Sequence, residues 1–264
     1  MSRRLFFALC TSLFCSLLPA AEPPLVLGVA PHTSARVILE MYQPLRRHLE
    51  TSLGKPVEIQ TATDFNEFAR RALNQDYDLL ITTGHQARML QTDAAYLPLL
   101  TYQAEFRALV LVDRKSGIRD VQDLHASVIL GLSPTSLVTL WGERWLRLQK
   151  INDVSMRYIS AADSISRLVL AGEATAAFTS LANFQKLPPD VRGNLRVLAQ
   201  SDPMLGRVYM LNKRQAGQLN AIASALLHFA ESSDGQTYFS QNKLEGYRRL
   251  RPHELEAMEP YAAT

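Results

Sequence analysis

Four residues, Ser133-Pro134-Thr135-Ser136, separate a short apolar run, Val128-Ile129-Leu130-Gly131-Leu132, from a segment that carries Leu137, Leu140, Trp141, Trp145 and Leu148 at helical spacing. The run has the length of a buried strand, and the segment reads as an amphipathic helix. Thr135, or Ser133 with Pro134 at the first helical position, is expected to cap that helix. A strand leading straight into a helix start leaves backbone N–H groups without intrahelical partners, at the positive end of the helix dipole. Nearby hydroxyls add donors without adding charge. The chemistry such a turn offers is anion binding. The plain alternative is a helix cap and nothing more.

Little else in the chain points to chemistry. It has no Gly-x-Ser-x-Gly elbow, no phosphate-binding glycine loop and no dinucleotide fingerprint. His32, His48, His85, His125, His228 and His253 are scattered without metal-ligand spacing. No catalytic residue, metal or cofactor is expected, and a binding role is favoured over an enzymatic one.

The first residues read as an export leader. Arg3 and Arg4 give a positive start, Leu5 to Leu18 an apolar stretch too short to span a bilayer, and Pro19-Ala20-Ala21 a small-residue cleavage site. Cleavage near Ala20-Ala21 is expected, leaving a soluble periplasmic protein. Both cysteines, Cys10 and Cys15, lie in the leader, so the mature chain has no disulfide. Ser12-Leu13-Phe14 before Cys15 lacks the small residues that lipid attachment favours. Without the leader the 28 basic residues fall to 26 against 25 acidic ones, a formal charge of +1. That balance supports neither a nucleic-acid nor a membrane-surface partner.

The elements that must position the turn alternate. Leu25 to Ala30 is a buried strand, followed by Pro31-His32-Thr33-Ser34 and a helix with Val37, Met41, Leu45 and Leu49 on one face, ended by Gly54. Val57–Gln60 is the next strand, and Asp64 with Glu67 forms a capping-box pattern before Phe65, Phe68, Ala69, Ala72 and Leu73. Tyr77–Ile81 is a third strand that runs into the turn Thr82-Thr83-Gly84-His85. Tyr96–Tyr102 and Phe106–Val112 are extended with no helix between them. Strand–helix alternation resumes at Val128 and continues through Met156–Ile159, a helix over Ala161–Ala171 and a strand at Ala176–Phe178. Leu187–Asp190 is expected to be a loop. Trp141 and Trp145 are expected in the core, and Arg36, Arg46, Arg47 and Arg88 on solvated helix faces.

This pattern gives an α/β fold of two lobes, each a mostly parallel sheet flanked by helices, with ligands bound at the carboxyl ends of the strands. The expected division is 1–21 leader, 22–105 first lobe, 106–203 second lobe, and 204–264 returning to the first lobe. The chain crosses near Glu105–Arg107 and near Ser201–Gly206. Two crossings predict a cleft that closes by a hinge.

The runs Tyr42-Gln43-Pro44-Leu45, Lys55-Pro56-Val57, Ala62-Thr63-Asp64-Phe65, Asp78-Leu79-Leu80, Lys115-Ser116-Gly117-Ile118 with Asp123-Leu124, and Pro134-Thr135-Ser136 occur in order over most of the mature chain. Together they resemble the substrate-binding proteins of phosphate, phosphite and phosphonate ABC transporters. The resemblance implies a type II periplasmic binding fold and a small phosphorus oxyanion held between a hydroxyl-rich helix start and the facing lobe. It also implies a membrane partner, an ABC permease or, in the alternative reading, a signalling receptor. The family's Ser-Thr-Ser-Gly turn falls on Pro134-Thr135-Ser136-Leu137, with Leu137 in place of the glycine. Its second-helix aromatic falls on Phe65, and the residue before the third-turn glycine is Thr83, with His85 after it. His32 has the matching place after the first strand. Asp163 falls where some members reach a ligand amine; three residues after Ser160, it equally suits a capping box. A monomer is expected.

Overall fold

The structure, a computed structural model, describes residues 23–159 and 164–262; the leader and Asp163 lie outside the described residues. β1 (Leu25–Val29), α1 (Ala35–Leu53), β2 (Val57–Gln60), α2 (Phe65–Leu73), β3 (Leu79–Thr83) and α3 (Gly84–Asp93) alternate as the pattern predicts. Gly54 ends α1 in the left-handed region at φ 67°, and its N–H returns to the Glu50 carbonyl. Asp64 caps α2, accepting from Glu67 N at 2.9 Å. The Glu67 carboxylate does not complete the box. It binds Arg70 and Arg71, each at 2.7 Å, and those hydrogen bonds hold its carboxyl at about 2.

Two local expectations shift. The buried stripe of α1 is Ile38, Tyr42, Leu45 and Leu49, while Val37 is 44% exposed. Both stripes suit a 3.6-residue period, and packing chooses the one that turns Tyr42 inward. Thr82 and Thr83 belong to β3 rather than to a turn, because a later strand pairs with them. Gly84 then opens α3 so close to a crossing segment that an added Cβ would lie 2.4 Å from the Leu205 carbonyl oxygen. Only glycine fits that approach.

β4 (Tyr96–Tyr102) and β5 (Ala108–Asp113) follow directly on one another, and then β6 (Val128–Gly131), α4 (Leu137–Leu148), β7 (Ser155–Tyr158), α5 (Ser164–Leu170) and β8 (Ala176–Ser180) restore the alternation. The expected loop is shorter than Leu187–Asp190: α6 (Leu181–Lys186) ends just before it and α7 (Pro189–Gly193) takes in its last two residues. The Pro188-Pro189 pair separates them, and Pro189 opens the second, where its missing N–H costs nothing. β9 (Leu195–Gln200), β10 (Arg207–Asn212), α8 (Leu219–Glu231), α9 (Ser233–Asn242), β11 (Tyr247–Arg248) and α10 (Glu259–Ala262) complete the chain.

The strands form two sheets. The first runs β11-β4-β10-β3-β1-β2 and the second β7-β6-β8-β5-β9. Each has a parallel core, β2-β1-β3 in one and β7-β6-β8 in the other. Each is then extended by antiparallel strands, so the sheets are mixed rather than mostly parallel. The antiparallel strands are the ones that lead into and out of the crossings. The crossing segments touch through an antiparallel bridge between Phe106 and Met204, with Met204 N donating to Phe106 O at 2.8 Å.

Apolar residues cover both faces of each sheet. One face of the first sheet packs Leu27, Tyr209 and Leu211 against α1, α8 and α9; the other packs Leu80, Val208 and Met210 against α2 and α3. Val110, Ile129, Trp141 and Phe178 centre one face of the second sheet, and Trp145 stacks on Trp141 at 6.0 Å, both as expected for core tryptophans. Leu137, from α4 of the second sheet, is buried with Phe68, Leu90 and Leu205 in a core of the first. Phe106, Met204 and Tyr261 each border cores of both sheets. The two halves therefore meet along an apolar seam.

Candidate functional site

The opening turn lies on that seam. α4 starts at Leu137 with Ser136 in the cap position, one residue after Thr135 and three after Ser133, the two expected caps, and the Ser136 side chain makes no cap hydrogen bond. The reason is local. Ser136 Oγ donates to Thr139 Oγ1 at 2.9 Å, and Thr139 Oγ1 also accepts from Leu132 N at 3.0 Å. Thr135 N donates to Ser133 Oγ at 3.3 Å, and the Ser133 and Thr135 hydroxyls are 3.2 Å apart. Ser136 is thus buried and occupied, whereas the half-buried Thr135 stands at the edge.

His85, on α3, meets this turn. Its Nε2 lies 3.1 Å from the Thr135 carbonyl, which can only accept, so Nε2 carries the hydrogen. His85 is 2% exposed, and burial pushes its pKa down to about 4. A cavity of about 40 Å³ remains between α2, α3, Thr135 and Ala262. Phe65 lies beside it: its carbonyl accepts from Gln86 Nε2 at 3.2 Å, and its ring packs on the first lobe's core. Sequence reasoning thus named three residues that the fold brings together here: Thr135, His85 and Phe65. Leu137 is spent on packing instead.

His32 and Thr83 lie elsewhere, around a residue that sequence reasoning missed. Arg207 opens β10 and stands opposite Thr83 in antiparallel register. Directly opposed residues share a face of the sheet. Tyr209, two residues on, shares that face and begins a buried chain of phenols. Tyr238 and Tyr102 hydroxyls are 2.7 Å apart, Tyr102 and Tyr209 2.9 Å, and Tyr209 and Tyr247 2.7 Å. Burial holds all four phenols above their ordinary range. Burial works to lower the Arg207 pKa, and the neighbouring phenols of Tyr42, Tyr102, Tyr238 and Tyr209 outweigh it and raise it.

Four polar atoms gather there unspent. Arg207 Nη1, His32 Nε2, Tyr42 Oη and Thr83 Oγ1 are each buried without a hydrogen-bond partner among the described residues. The His32 and Tyr42 rings meet edge to face at 6.1 Å. Burial first, and the Arg207 charge second, hold His32 well below its ordinary pKa. Lys186, exposed at the end of α6 on the second sheet, adds a second positive charge that reaches both His32 and Arg207. No carboxylate among the described residues pairs with Arg207. A half-buried guanidinium with a buried, unmet N–H and no counter-charge is costly unless an anion completes it.

Other arginines do not compete. A surface depression of about 490 Å³ at the outer edge of the second sheet is lined by Arg114, Arg192 and Arg196. Each of the three donates to a backbone carbonyl, of Gly193, Gln185 and Ile118 respectively. Those guanidiniums brace loops.

Residues 27–255 match the family model for the ABC transporter, phosphonate, periplasmic substrate-binding protein. The chain belongs to that family. Its members deliver small anionic ligands to a membrane permease, which places the family in the periplasm. Among solved structures, XAC2383 from Xanthomonas citri bound to chloride ion superposes with a TM-score of 0.79 at 17% identity, over 90% of this chain and 96% of that one. PhnD1 from Prochlorococcus marinus in complex with methylphosphonate gives 0.77 at 15% identity, over 90% and 96%. The periplasmic aliphatic sulphonate binding protein SsuA from Escherichia coli gives 0.59 at 15% identity, over 90% and 89%. These likenesses establish the type II periplasmic binding fold. No curated protein matches the sequence closely enough to count as a relative. Among the described residues no helix is long and apolar enough to cross a membrane.

Proposed function

We propose that the protein captures a phosphonate, phosphite or phosphate ester in the periplasm and presents it to an ABC permease. One observation carries this: a guanidinium with a buried, unmet N–H and no carboxylate partner among the described residues, grouped with other unspent polar atoms beside the seam between the two halves. Arg207, Thr83, Tyr42 and His32 form the anion end, with Lys186 at its mouth, and the turn at Thr135 and Ser136, met by His85 elsewhere on the seam, is a second contact in this reading. Asp163 stays a proposed contact to a ligand amine, tested by the loss of any preference for aminoalkyl phosphonates in Asp163→Asn. The division 22–105, 106–203 and 204–264 makes two lobes that open about the crossings, a reading supported by the composition of the two sheets. The protein binds without transforming its ligand, acts as a monomer, and loses its leader, with both cysteines, near Ala20-Ala21.

The test is calorimetric titration of the secreted form with methylphosphonate, phosphite and phosphate, with intact mass measured on the same sample. Saturable one-to-one binding of at least one phosphorus oxyanion is expected, with a mass that begins near Ala21 or Glu22. Absence of heat with all three would overturn the ligand class. A mass retaining the leader or acyl chains would overturn the processing.

A further inference from the structure

The fold does not choose between phosphonates and sulphonates, since it is shared by binders of both. The two anions have similar size and tetrahedral shape. They differ in a proton. A phosphorus oxyanion has a second ionisation near neutrality, about pH 6 for a phosphate monoester, so it carries or regains an O–H at little cost. A sulphonate brings only acceptor oxygens.

His32 is arranged to read that difference. Its Nδ1 lies 2.9 Å from the Ala30 carbonyl oxygen, which can only accept, so Nδ1 carries the hydrogen and Nε2 keeps a lone pair. That Nε2 is buried and unpartnered among the described residues. The charged and titratable groups around it are Arg207 from β10, Lys186 from α6 and the Tyr42 phenol from α1. The two cations oppose a second proton on the imidazole. The site therefore holds one obligatory donor, Arg207, two hydroxyls, Tyr42 and Thr83, that can donate or accept, and one acceptor whose role is fixed.

Resting on the phosphorus-oxyanion reading above, we propose that His32 is the specificity-determining residue. Its Nε2 accepts the P–OH hydrogen of a monoprotonated phosphorus oxyanion, while Arg207, Tyr42 and Thr83 donate to the other oxygens. Sulphonates and sulphate are rejected because they set an acceptor oxygen against a buried lone pair. A site built around one buried hydrogen bond discriminates strongly against an analogue that cannot make it.

The experiment is calorimetric titration of the full mature chain near neutral pH with methylphosphonate, methanesulfonate and sulfate, repeated on His32→Gln. The glutamine amide can turn either its oxygen or its NH₂ toward the ligand, so it keeps a polar group there without a fixed role. Wild type is expected to bind methylphosphonate about a hundredfold more tightly than methanesulfonate or sulfate, the equivalent of one buried charge-assisted hydrogen bond. In His32→Gln that ratio is expected to fall to within about tenfold of parity, chiefly through tighter binding of the sulfur anions. Methylphosphonate and methanesulfonate binding equally to wild type would overturn the proposal and leave the phosphorus reading standing. So would an unchanged ratio in a folded His32→Gln. Sulfate binding without methylphosphonate binding would overturn both.

Discussion

Arg207→Met separates a ligand-binding arginine from a structural one because the two roles predict opposite signs for stability. Methionine keeps most of the aliphatic stem and removes the charge and its donors. Among the described residues Arg207 Nη1 is buried without a partner, and no salt bridge holds the guanidinium. An unmet buried donor costs about 1–3 kcal/mol. Removing it should raise the apparent melting temperature of the ligand-free protein by a few degrees, at about 2–4 °C per kcal/mol for a chain of this size. The backbone is spared, since Thr101 Oγ1 bonds the Arg207 carbonyl oxygen at 2.7 Å whatever the side chain. In the bound protein the same substitution leaves the ligand's charge buried and short of a partner. Truncating one side of such a pair costs about 2–4 kcal/mol, or a loss in affinity of about 30- to 1,000-fold. Calorimetry with methylphosphonate, and thermal melts with and without it, measure both arms. A lowered ligand-free melting temperature with unmoved affinity would refute the reasoning and make Arg207 a structural residue.

Thr135→Ala removes an edge hydroxyl whose side-chain partner among the described residues is Ser133, 3.2 Å away; stability should change by less than about 1 kcal/mol, with affinity down about tenfold if the turn lines the ligand. Unmoved affinity in calorimetry would take the turn out of the site. Leu137→Ala removes a 2% exposed side chain that α4 buries in the first lobe's core. It should cost the closed arrangement about 2–5 kcal/mol, read as a larger radius of gyration by small-angle scattering, and an unchanged scattering profile would count against the seam. His85 stays neutral down to about pH 4 when folded but titrates near its ordinary value when unfolded. The unfolded chain thus binds more protons between those values, and stability falls as pH drops through that window, on the order of 3 kcal/mol from His85 alone, with half-buried His32 adding in the same direction. His85→Gln should flatten the melting temperature between about pH 6.5 and about pH 4 relative to wild type; parallel curves would contradict the assignment.

What local sequence can encode was legible in this chain. Strand runs, the Asp64 cap, the left-handed Gly54 and the strand-to-helix turn at Ser133–Ser136 all depend on neighbours a few residues apart, and the order of several such motifs sufficed to indicate the family. Where packing competes with local preference, the sequence reading slipped by a residue or a turn. Thr83 became strand because β10 claims its backbone, and Tyr42 turned inward because its helix has two admissible apolar stripes. The anion end is another matter. Residues 32, 42, 83, 186 and 207 are dispersed over most of the chain, and Arg207 at the start of an extended segment resembles any arginine beside a strand. Its meaning comes from a register, opposite Thr83 and two residues before the Tyr209 that joins a chain of hydrogen-bonded phenols, and from the lack of a carboxylate partner among the described residues. Leu137 likewise sits where the pattern puts a helix start, yet its partners lie in the other half of the molecule. Desolvation and long-range pairing set the roles of these residues, and both arise only when distant parts of the chain are brought together.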